Sequence, residues 1–279
     1  PARSAAATAG LVRRVDLLFG PYGSGPARAA AAALVGRDAV MWNHGGAEVP
    51  RGEVGRVVDV LGPARRYWRG LAEALGGIGA DPDRVVLVRG ATPFGRAVSA
   101  GAERSLAEAG HRPLAVLDID GDPEAVVARA ERVGAGVVVG SGRIEDDLAL
   151  GGALAGRPLA VGLVVCGIDL AAERLGDAVE GWIGPSQSDP DAVLPSYLRG
   201  IGAGYPGVQA AAAGELARRA VETADSTEPD AVWEAARAMR LSTFLGPFRV
   251  DERGRQVAHA PRIVRWIDGR RRSVWAPPG

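Results

Sequence analysis

The most informative stretch of this chain is Val15–Ala47, which reads VDLLFGPYGSGPARAAAAALVGRDAVMWNHGGA. An apolar run ends in a glycine-rich turn, Ser24 stands where an alanine-rich helix should begin, and a second apolar run ends in another glycine turn. This pattern predicts a strand, turn, helix, strand and turn, which would bring both turns to the carboxyl edge of one parallel sheet. Open α/β sheets bind their ligands at that edge. A helix N-terminus with free N–H groups beside a small hydroxyl suits a carboxylate or a similar anion.

The composition is that of an ordinary globular protein, with 279 residues of which 47% are hydrophobic and 24% charged. The formal net charge is zero, so no overall field favours nucleic acid or an anionic membrane surface. All 33 cationic residues are arginine, which we interpret as the coding bias of a GC-rich genome. The single cysteine, Cys166, lies in an apolar run and predicts a buried, unreactive thiol. The apolar runs are shorter than the ~20 residues that a membrane-spanning helix needs.

Strand and helix signals alternate along most of the chain, and the clearest boundary is the stretch GGIGADP at 76–82. Short runs rich in valine and leucine are typical of parallel strands covered by helices on both faces. Two helices are predicted over 190–203 and 207–223. From Pro247 the pattern changes to strands joined by tight turns at 251–254 and at Asp268-Gly269, which indicates antiparallel hairpins. The sequence therefore predicts an α/β fold of two Rossmann-like lobes with parallel sheets flanked by helices and antiparallel strands at the C-terminus. We assign 1–80 and 186–245 to lobe I, and 81–185 and 246–279 to lobe II.

Several motifs along the whole chain resemble, in the right order, the leucine/isoleucine/valine-binding type of substrate-binding protein. They are Gly20-Pro21-Tyr22-Gly23-Ser24, Gly45-Gly46-Ala47, the strand from Arg84 followed by Phe94-Gly95, Gly140-Ser141-Gly142-Arg143, Ala178 to Trp182, and Gly246 to Gly254. Such proteins have the type I periplasmic-binding fold and serve ABC importers. The resemblance implies two lobes, joined by three strands, that close over a small ligand by hinge motion.

The resemblance also implies which residues bind the ligand. A serine turn in lobe I holds the ligand carboxylate through a hydroxyl and backbone N–H groups, and Ser24 is the matching residue. The turn after the next strand normally adds a hydroxyl, which Ala47 lacks. In lobe II an aromatic residue lies over the ligand, and Phe94 falls near that place. The implied ligand-binding residues are Tyr22, Gly23, Ser24, Gly25, Gly45, Gly46, Ala47, Phe94, Gly142 and Arg143.

Two departures from the family pattern bear on the ligand. A carboxylate that pairs with the ligand ammonium would fall within 164–166, where the chain has none, and Asp169 is the nearest acid. The position where another aromatic is common carries Arg143 instead. Because a buried ammonium without its partner is costly, these departures argue against an α-amino acid and toward a carboxylate, an amide or an aromatic acid.

Each candidate also has a purely structural interpretation. Ser24 is either an anion-binding residue or a plain helix N-cap. Tyr22 either faces the ligand or packs in the protein. Phe94 either contacts the ligand or staples the turn at the start of its helix. Arg143 either binds an anion or pairs on the surface with one of the acids at 145 and 146, which would contribute little to stability.

Enzymatic and cofactor motifs are weak in this sequence. The residues around Ser24 do not match a nucleophile elbow, and the glycines of 20–25 do not have dinucleotide spacing. The stretch Asp118–Asp122 resembles a calcium loop, but its glycine comes too early and Arg129 occupies the twelfth position. We therefore predict no catalytic residue, no cofactor and no metal ion.

The chain begins at Pro1, whereas members of the family normally have a strand, helix and strand ahead of the helix that matches 1–12. The sequence is either a fragment, which we favour, or a degenerate receptor, and in both cases the strand Arg13–Phe19 is expected to form an unprotected sheet edge.

The predicted function is that of the substrate-binding component of an ABC-type importer. We expect a monomer outside the cytoplasm that binds an amino acid, carboxylate or amide without chemistry and delivers it to an ABC permease, with no nucleic-acid partner. The alternative is a cytoplasmic ligand-sensing regulator of the same fold that acts through a protein partner. An export signal or a lipid-attached cysteine upstream of this chain would distinguish the two.

Overall fold

The computed structural model describes residues 1–47, 49, 54–119, 121–200 and 204–278. The chain forms two compact units, each built from two separate stretches. Unit 1 comprises Pro1–Pro63 and Ala192–His259, and unit 2 comprises Ala64–Asp191 and Ala260–Gly279. The predicted lobe ranges differ from these units in three places, because 64–80 and 186–191 group with unit 2 and 246–259 groups with unit 1.

Helices and strands alternate through most of the described chain. The helices are α1 (Ala2–Leu11), α2 (Ser24–Ala32), α3 (Leu71–Gly77), α4 (Pro93–Glu108), α5 (Pro123–Arg132), α6 (Ile144–Leu154), α7 (Leu170–Leu175), α8 (Ser196–Gly200), α9 (Tyr205–Ala224) and α10 (Pro229–Ala238). The strands are β1 (Leu18–Phe19), β2 (Val40–Asn43), β3 (Arg56–Asp59), β4 (Val85–Arg89), β5 (Ala115–Asp118), β6 (Val137–Ser141), β7 (Ala160–Gly162), β8 (Ile183–Ser186), β9 (Leu241–Thr243), β10 (Gly246–Phe248), β11 (Arg262–Ile267) and β12 (Arg270–Trp275).

Unit 1 is built on a parallel sheet of β1, β2 and β3, in that order. Successive side chains of a strand point to opposite faces, and the two faces of this sheet are covered by different helices. Met41 and Val57 belong to a buried cluster with residues of α2, while Trp42 belongs to a cluster with residues of α9 and α10. Phe19, the partner of Trp42 in the register, lies on the outer strand and is 42% exposed.

Unit 2 is built on a larger sheet whose strand order, among the described residues, is β12-β11-β8-β7-β6-β4-β5. The strands from β5 to β8 pair in parallel, while β11 pairs antiparallel with both β8 and β12. Asp268 and Gly269 join β11 to β12 with left-handed φ angles of 52° and 68°, as a tight hairpin of matching twist requires. The predicted α/β class, with parallel sheets flanked by helices and antiparallel C-terminal strands, is confirmed.

Three element predictions need correction. The strand expected over 13–19 contains only Leu18–Phe19, because a turn that follows α1 occupies 12–14. The strand β3 was not predicted, since its two valines stand between charged residues. The helix expected over 190–203 is reduced to α8, and its last three expected residues lie outside the described ones.

Candidate functional site

The first glycine turn of unit 1 leads from β1 into α2. Gly23 is the N-cap of the helix with φ 97°, a left-handed conformation that favours glycine, and Ser24 is the first helical residue. The Ser24 hydroxyl is therefore not a helix N-cap, which removes the plain structural interpretation of this residue. In the described part of the chain, neither the hydroxyl nor the N–H groups of Ser24 and Gly25 make a hydrogen bond. These donors remain available to an anion.

The second glycine turn follows β2 and is ordered by Asn43, whose side chain is fully buried. Its Nδ2 donates to Gly46 O at 2.7 Å and to Asp59 Oδ1 at 2.7 Å, while its Oδ1 accepts from Gly46 N at 3.0 Å. A Cβ atom on Gly46 would lie only 2.5 Å from Ala27 Cβ in α2. The turn is thus held both by a buried amide and by close packing on α2.

The two turns of unit 1 contact each other through their backbones. Gly23 N donates to Gly45 O at 2.8 Å. A Cβ atom on Gly45 would lie 2.4 Å from Tyr22 Cα, so a larger residue cannot fit without separating the turns. The structure therefore brings together the predicted residues of this unit, which are Tyr22, Gly23, Ser24, Gly25, Gly45, Gly46 and Ala47.

An aromatic pair lies beside the first turn. The rings of Tyr22 and Tyr205 are 6.1 Å apart with an interplanar angle of 89°, an edge-to-face arrangement. Burial, and then the neighbouring Tyr205, raises the pKa of Tyr22 above its ordinary value, so the phenol stays neutral. Tyr205 is the first residue of α9 and was missed by the sequence analysis, which began that helix at residue 207.

His44 lies between the last residue of β2 and Gly45 of the second turn, and it is half-buried. Its Nδ1 atom is buried without a hydrogen-bond partner in the described structure. Burial lowers the pKa of His44, which favours the neutral imidazole.

The predicted residues of unit 2 follow β4 and β6, two adjacent parallel strands. The turns after these strands pack closely, because a Cβ atom on Gly90 would lie 2.8 Å from Gly142 Cα and one on Gly95 would lie 2.4 Å from Ser141 O. Phe94 stands between these glycines at the start of α4, whose N-cap is Thr92. The structure thus brings Phe94 and Gly142 to the same edge of the sheet.

The Phe94 ring is half-buried and packs edge-to-face on the buried Tyr67, with centroids 5.5 Å apart. This contact orients the ring at the start of α4. It is a packing role for Phe94, and the part of the ring that stays exposed remains available to a ligand.

Arg143 has its side chain 62% exposed and pairs with Asp146. Its Nε and Nη2 atoms lie 3.1 and 2.9 Å from the two carboxylate oxygens. The hydrogen bond from Arg143 lowers the pKa of Asp146, which keeps this carboxylate ionised. The structure therefore bears out the surface ion pair that the sequence analysis had left as an alternative.

Asp147 contacts the predicted site residues of unit 2 and was missed by the sequence analysis. Its side chain is 2% exposed, and it lies on the side of α6 that faces the turns after β6 and β7. Oδ1 accepts from Gly142 N at 2.7 Å and Oδ2 accepts from Val165 N at 3.0 Å. Both carboxylate oxygens are therefore occupied by backbone donors.

The acid nearest in sequence to the expected ammonium-binding position already has an ion-pair partner. Asp169, the nearest acid in sequence, pairs with Arg271 at 2.7 Å. Cys166 is fully buried, and burial raises the pKa of its thiol, as expected for an unreactive cysteine. In the described ranges no group of three or more histidine, cysteine or acidic residues is arranged to hold a metal ion, and Asp120 of the calcium-like stretch lies outside those ranges.

Solved structures resemble this chain over nearly its whole length. For a leucine-binding protein from Thermotoga maritima the TM-score is 0.79 at 19% identity, covering 96% of this chain and 82% of that chain. For an ABC-transporter solute-binding protein from Rhodopseudomonas palustris, in complex with p-hydroxybenzoic acid, the TM-score is 0.83 at 17% identity, covering 98% and 82%. For an ABC-transporter substrate-binding protein from Desulfitobacterium hafniense, in complex with Leu, the TM-score is 0.77 at 17% identity, covering 97% and 84%. At such identities the likeness concerns the fold.

Family membership comes from the match to a protein-family model. The search among curated proteins returned no match. Among the described residues, every helix falls short of the length or apolarity that crossing a lipid bilayer requires. The family model described as periplasmic binding protein matches residues 1–271, which is nearly the whole chain. The resemblance found in the sequence is confirmed, and the chain belongs to the periplasmic binding protein family.

Proposed function

We propose that this chain is the solute-binding component of an ABC-type importer and that it captures a small aromatic carboxylate without chemical change. The protein would act outside the cytoplasm as a monomer and would deliver its ligand to an ABC permease. Family membership and the solute-binding relatives support the general role. The arrangement of donors, aromatic rings and acids in the two units supports the ligand class.

The observation that carries this proposal is the unoccupied donor set at the start of α2. Ser24 offers a hydroxyl and an N–H group, and Gly25 offers a second N–H group, with no competing bond in the described structure. The positive end of the helix dipole adds to their attraction for a carboxylate. The Gly23–Gly45 hydrogen bond and the close approach of Gly45 to Tyr22 hold these donors in place before a ligand arrives.

The aromatic rings support a ligand that has an aromatic body. Tyr22 is 42% exposed beside the donor set, and its contact with Tyr205 fixes one ring edge. We propose that Phe94 and the Gly142–Arg143 turn are further ligand contacts in unit 2. An aromatic face or edge buried against a ligand ring contributes more than its area alone, which gives affinity without a second charge.

The acids of unit 2 argue against an α-amino acid. The carboxylates of Asp146 and Asp169 pair with arginines, and both oxygens of Asp147 accept backbone N–H groups. A ligand ammonium would therefore lack a free partner among these acids, and burying it unpaired is unfavourable. The relative in complex with p-hydroxybenzoic acid, rather than the one in complex with Leu, is the better guide to this ligand.

The proposal is tested by titrating benzoate, 4-hydroxybenzoate and leucine into the protein, with thermal shift and calorimetry as readouts. We expect the two aromatic acids to raise the unfolding midpoint and leucine to have no effect. Ser24→Ala should weaken benzoate binding by about tenfold or more, because a hydrogen bond to a charged group is lost.

The matched control is Ser242→Ala, which removes an exposed serine hydroxyl from the same unit. This variant should bind benzoate like the wild type. The proposal is contradicted if leucine binds more tightly than both aromatic acids, or if Ser24→Ala leaves benzoate affinity unchanged.

A further inference from the structure

We infer that Asp147 is a positioning residue that holds the turns after β6 and β7 in one arrangement and thereby sets ligand affinity through the Gly142–Arg143 turn. The part of this inference that concerns affinity rests on the function proposed above. The part that concerns the two turns stands on the contacts of Asp147 alone.

The carboxylate of Asp147 joins two turns that are far apart in sequence. Gly142 follows β6, and Val165 lies in the 3-10 turn Val164–Gly167 that follows β7. The two oxygens accept from Gly142 N at 2.7 Å and from Val165 N at 3.0 Å. Because one planar group binds both turns, neither turn can shift relative to the other without breaking a hydrogen bond to the Asp147 carboxylate.

An ionised carboxylate satisfies the donors of this site best. The backbone groups that face Asp147 are donors, and a carboxylate accepts at both oxygens. An amide would turn one of these acceptors into a donor that faces another donor, and a protonated carboxyl would be a weaker acceptor at its hydroxyl oxygen. A Cβ atom on Gly142 would lie 2.9 Å from Asp147 Oδ1, so the approach of the turn to the carboxylate also depends on glycine.

The hydrogen bonds that the Asp147 carboxylate accepts from the two turns depend on pH in the physiological range. Burial raises the pKa of Asp147 to about 6, although hydrogen bonds from Gly142, Val165 and Val164 oppose the shift. The titratable groups that face it are Asp146 on the same helix and the Cys166 thiol in the 3-10 turn. The described residues contain no ion-pair partner for it. The hydrogen bonds from both turns to the carboxylate should therefore strengthen as pH rises through about 6.

The contact between Asp147 and the two turns is tested without ligand by following the amide signals of Gly142 and Val165 in NMR spectra of the full chain from pH 5 to pH 7.5. We expect both signals to move with one shared midpoint, and Asp147→Asn to abolish the transition. Cys166→Ala is the matched control, because it perturbs the same buried region and leaves the carboxylate in place. It should keep the transition even if it lowers the thermal stability.

Ligand affinity is tested by titrating benzoate into the same proteins at pH 5 and pH 7.5. For the wild type and for Cys166→Ala we expect binding about tenfold tighter at pH 7.5, a typical coupling between two sites. For Asp147→Asn we expect one affinity at both pH values. A residue with a purely structural role would lower the stability without changing the pH profile.

The outcomes separate this inference from the proposed function. Amide signals that show no shared transition, or benzoate binding by the wild type that is independent of pH, would overturn the inference and leave the proposed function standing. A shared transition in a protein that binds none of the aromatic acids would support the positioning role and overturn the proposed function.

Discussion

The two units order their glycine turns with different chemical groups. In unit 1 the turn after β2 is held by the amide of Asn43, and in unit 2 the turns after β6 and β7 are held by the carboxylate of Asp147. Both side chains are buried, with exposures of 0% and 2%. A turn that follows a parallel strand leaves backbone groups without partners, and a short polar side chain can satisfy them.

The surroundings explain which group is used. Asn43 faces both donors and acceptors, since it accepts from Gly46 N and donates to Gly46 O and Asp59. A carboxylate in its place would repel Asp59 and could not donate. Asp147 faces donors from the backbone, which a carboxylate satisfies with both oxygens. The comparison teaches that a group that does not titrate orders the turn of unit 1, while an ionisable group orders the turns of unit 2.

The largest effect is expected from Asn43→Ala. This change leaves Gly46 N and Gly46 O buried without partners, so the free energy of unfolding should fall by about 4 kcal/mol. Most of the loss should be present at both pH 5 and pH 7.5, because the amide that bonds to Gly46 does not titrate. Urea unfolding at the two pH values measures it.

A second variant at the same position sharpens the comparison. Asn43→Asp would place two carboxyl groups at the distance of the present Asn43–Asp59 hydrogen bond, 2.7 Å. Unit 1 should then lose less stability at pH 5 than at pH 7.5, because one proton shared between the carboxyl groups relieves the repulsion. Equal losses at both pH values would contradict the assignment of these contacts.

The next largest effect on stability concerns Asp147. Rising pH should lower the stability that this residue contributes, whereas it should tighten ligand binding. Because the pKa of Asp147 in the folded protein is about 6, above the ordinary 3.8, the folded state holds the proton more tightly than the unfolded state does. Stability from this group is therefore lost as pH rises from about 4 to about 6 and amounts to about 3 kcal/mol. The measurement is the difference in unfolding free energy between wild type and Asp147→Asn at pH 4 and pH 7. A difference that does not change with pH would refute the assigned ionisation.

The smallest effect is expected at Gln209, a buried side chain of unit 1 that orders no turn. It is 1% exposed, and both amide atoms lack a hydrogen-bond partner in the described structure. Gln209→Met keeps the length of the side chain and removes the unsatisfied amide, so we expect a gain of about 1 kcal/mol.

The control for this gain is Gln256→Met in the same unit. Gln256 is also buried, but its Oε1 accepts from the N–H groups of Ala258 and His259 at 3.0 and 3.1 Å, and its Nε2 donates to Val60 O. Its replacement should destabilise the protein. Thermal unfolding that shows the same sign for both variants would contradict the distinction between satisfied and unsatisfied amides.

Much of the fold could be predicted from the sequence, because its signals are local. The apolar runs that end in glycine turns predicted the parallel sheets, and Gly23 with Ser24 predicted where α2 begins. The Asp268-Gly269 pair predicted a hairpin. The strand β3 escaped prediction because only two of its residues are apolar.

The groups that order the candidate site could be predicted less well, because their partners are distant in sequence. Asn43 bonds to Asp59 at the end of the unpredicted strand β3. Asp147 was not singled out because it is one of three consecutive acids in the first turn of α6. One signal could have identified it, since Asp147 shares a helix face with Leu150, Gly151 and Leu154, which are all buried. Tyr205 was missed because the helix was expected to start two residues later.

The central claim is that the donors around Ser24 hold the carboxylate of an aromatic acid. The most direct measurement is an NMR titration of the wild type with benzoate, following the backbone N–H signals of Ser24 and Gly25. The account predicts that these two signals move downfield more than any others, with a saturation point that matches the calorimetric affinity. It would be contradicted by benzoate binding that leaves both signals in place and shifts signals elsewhere.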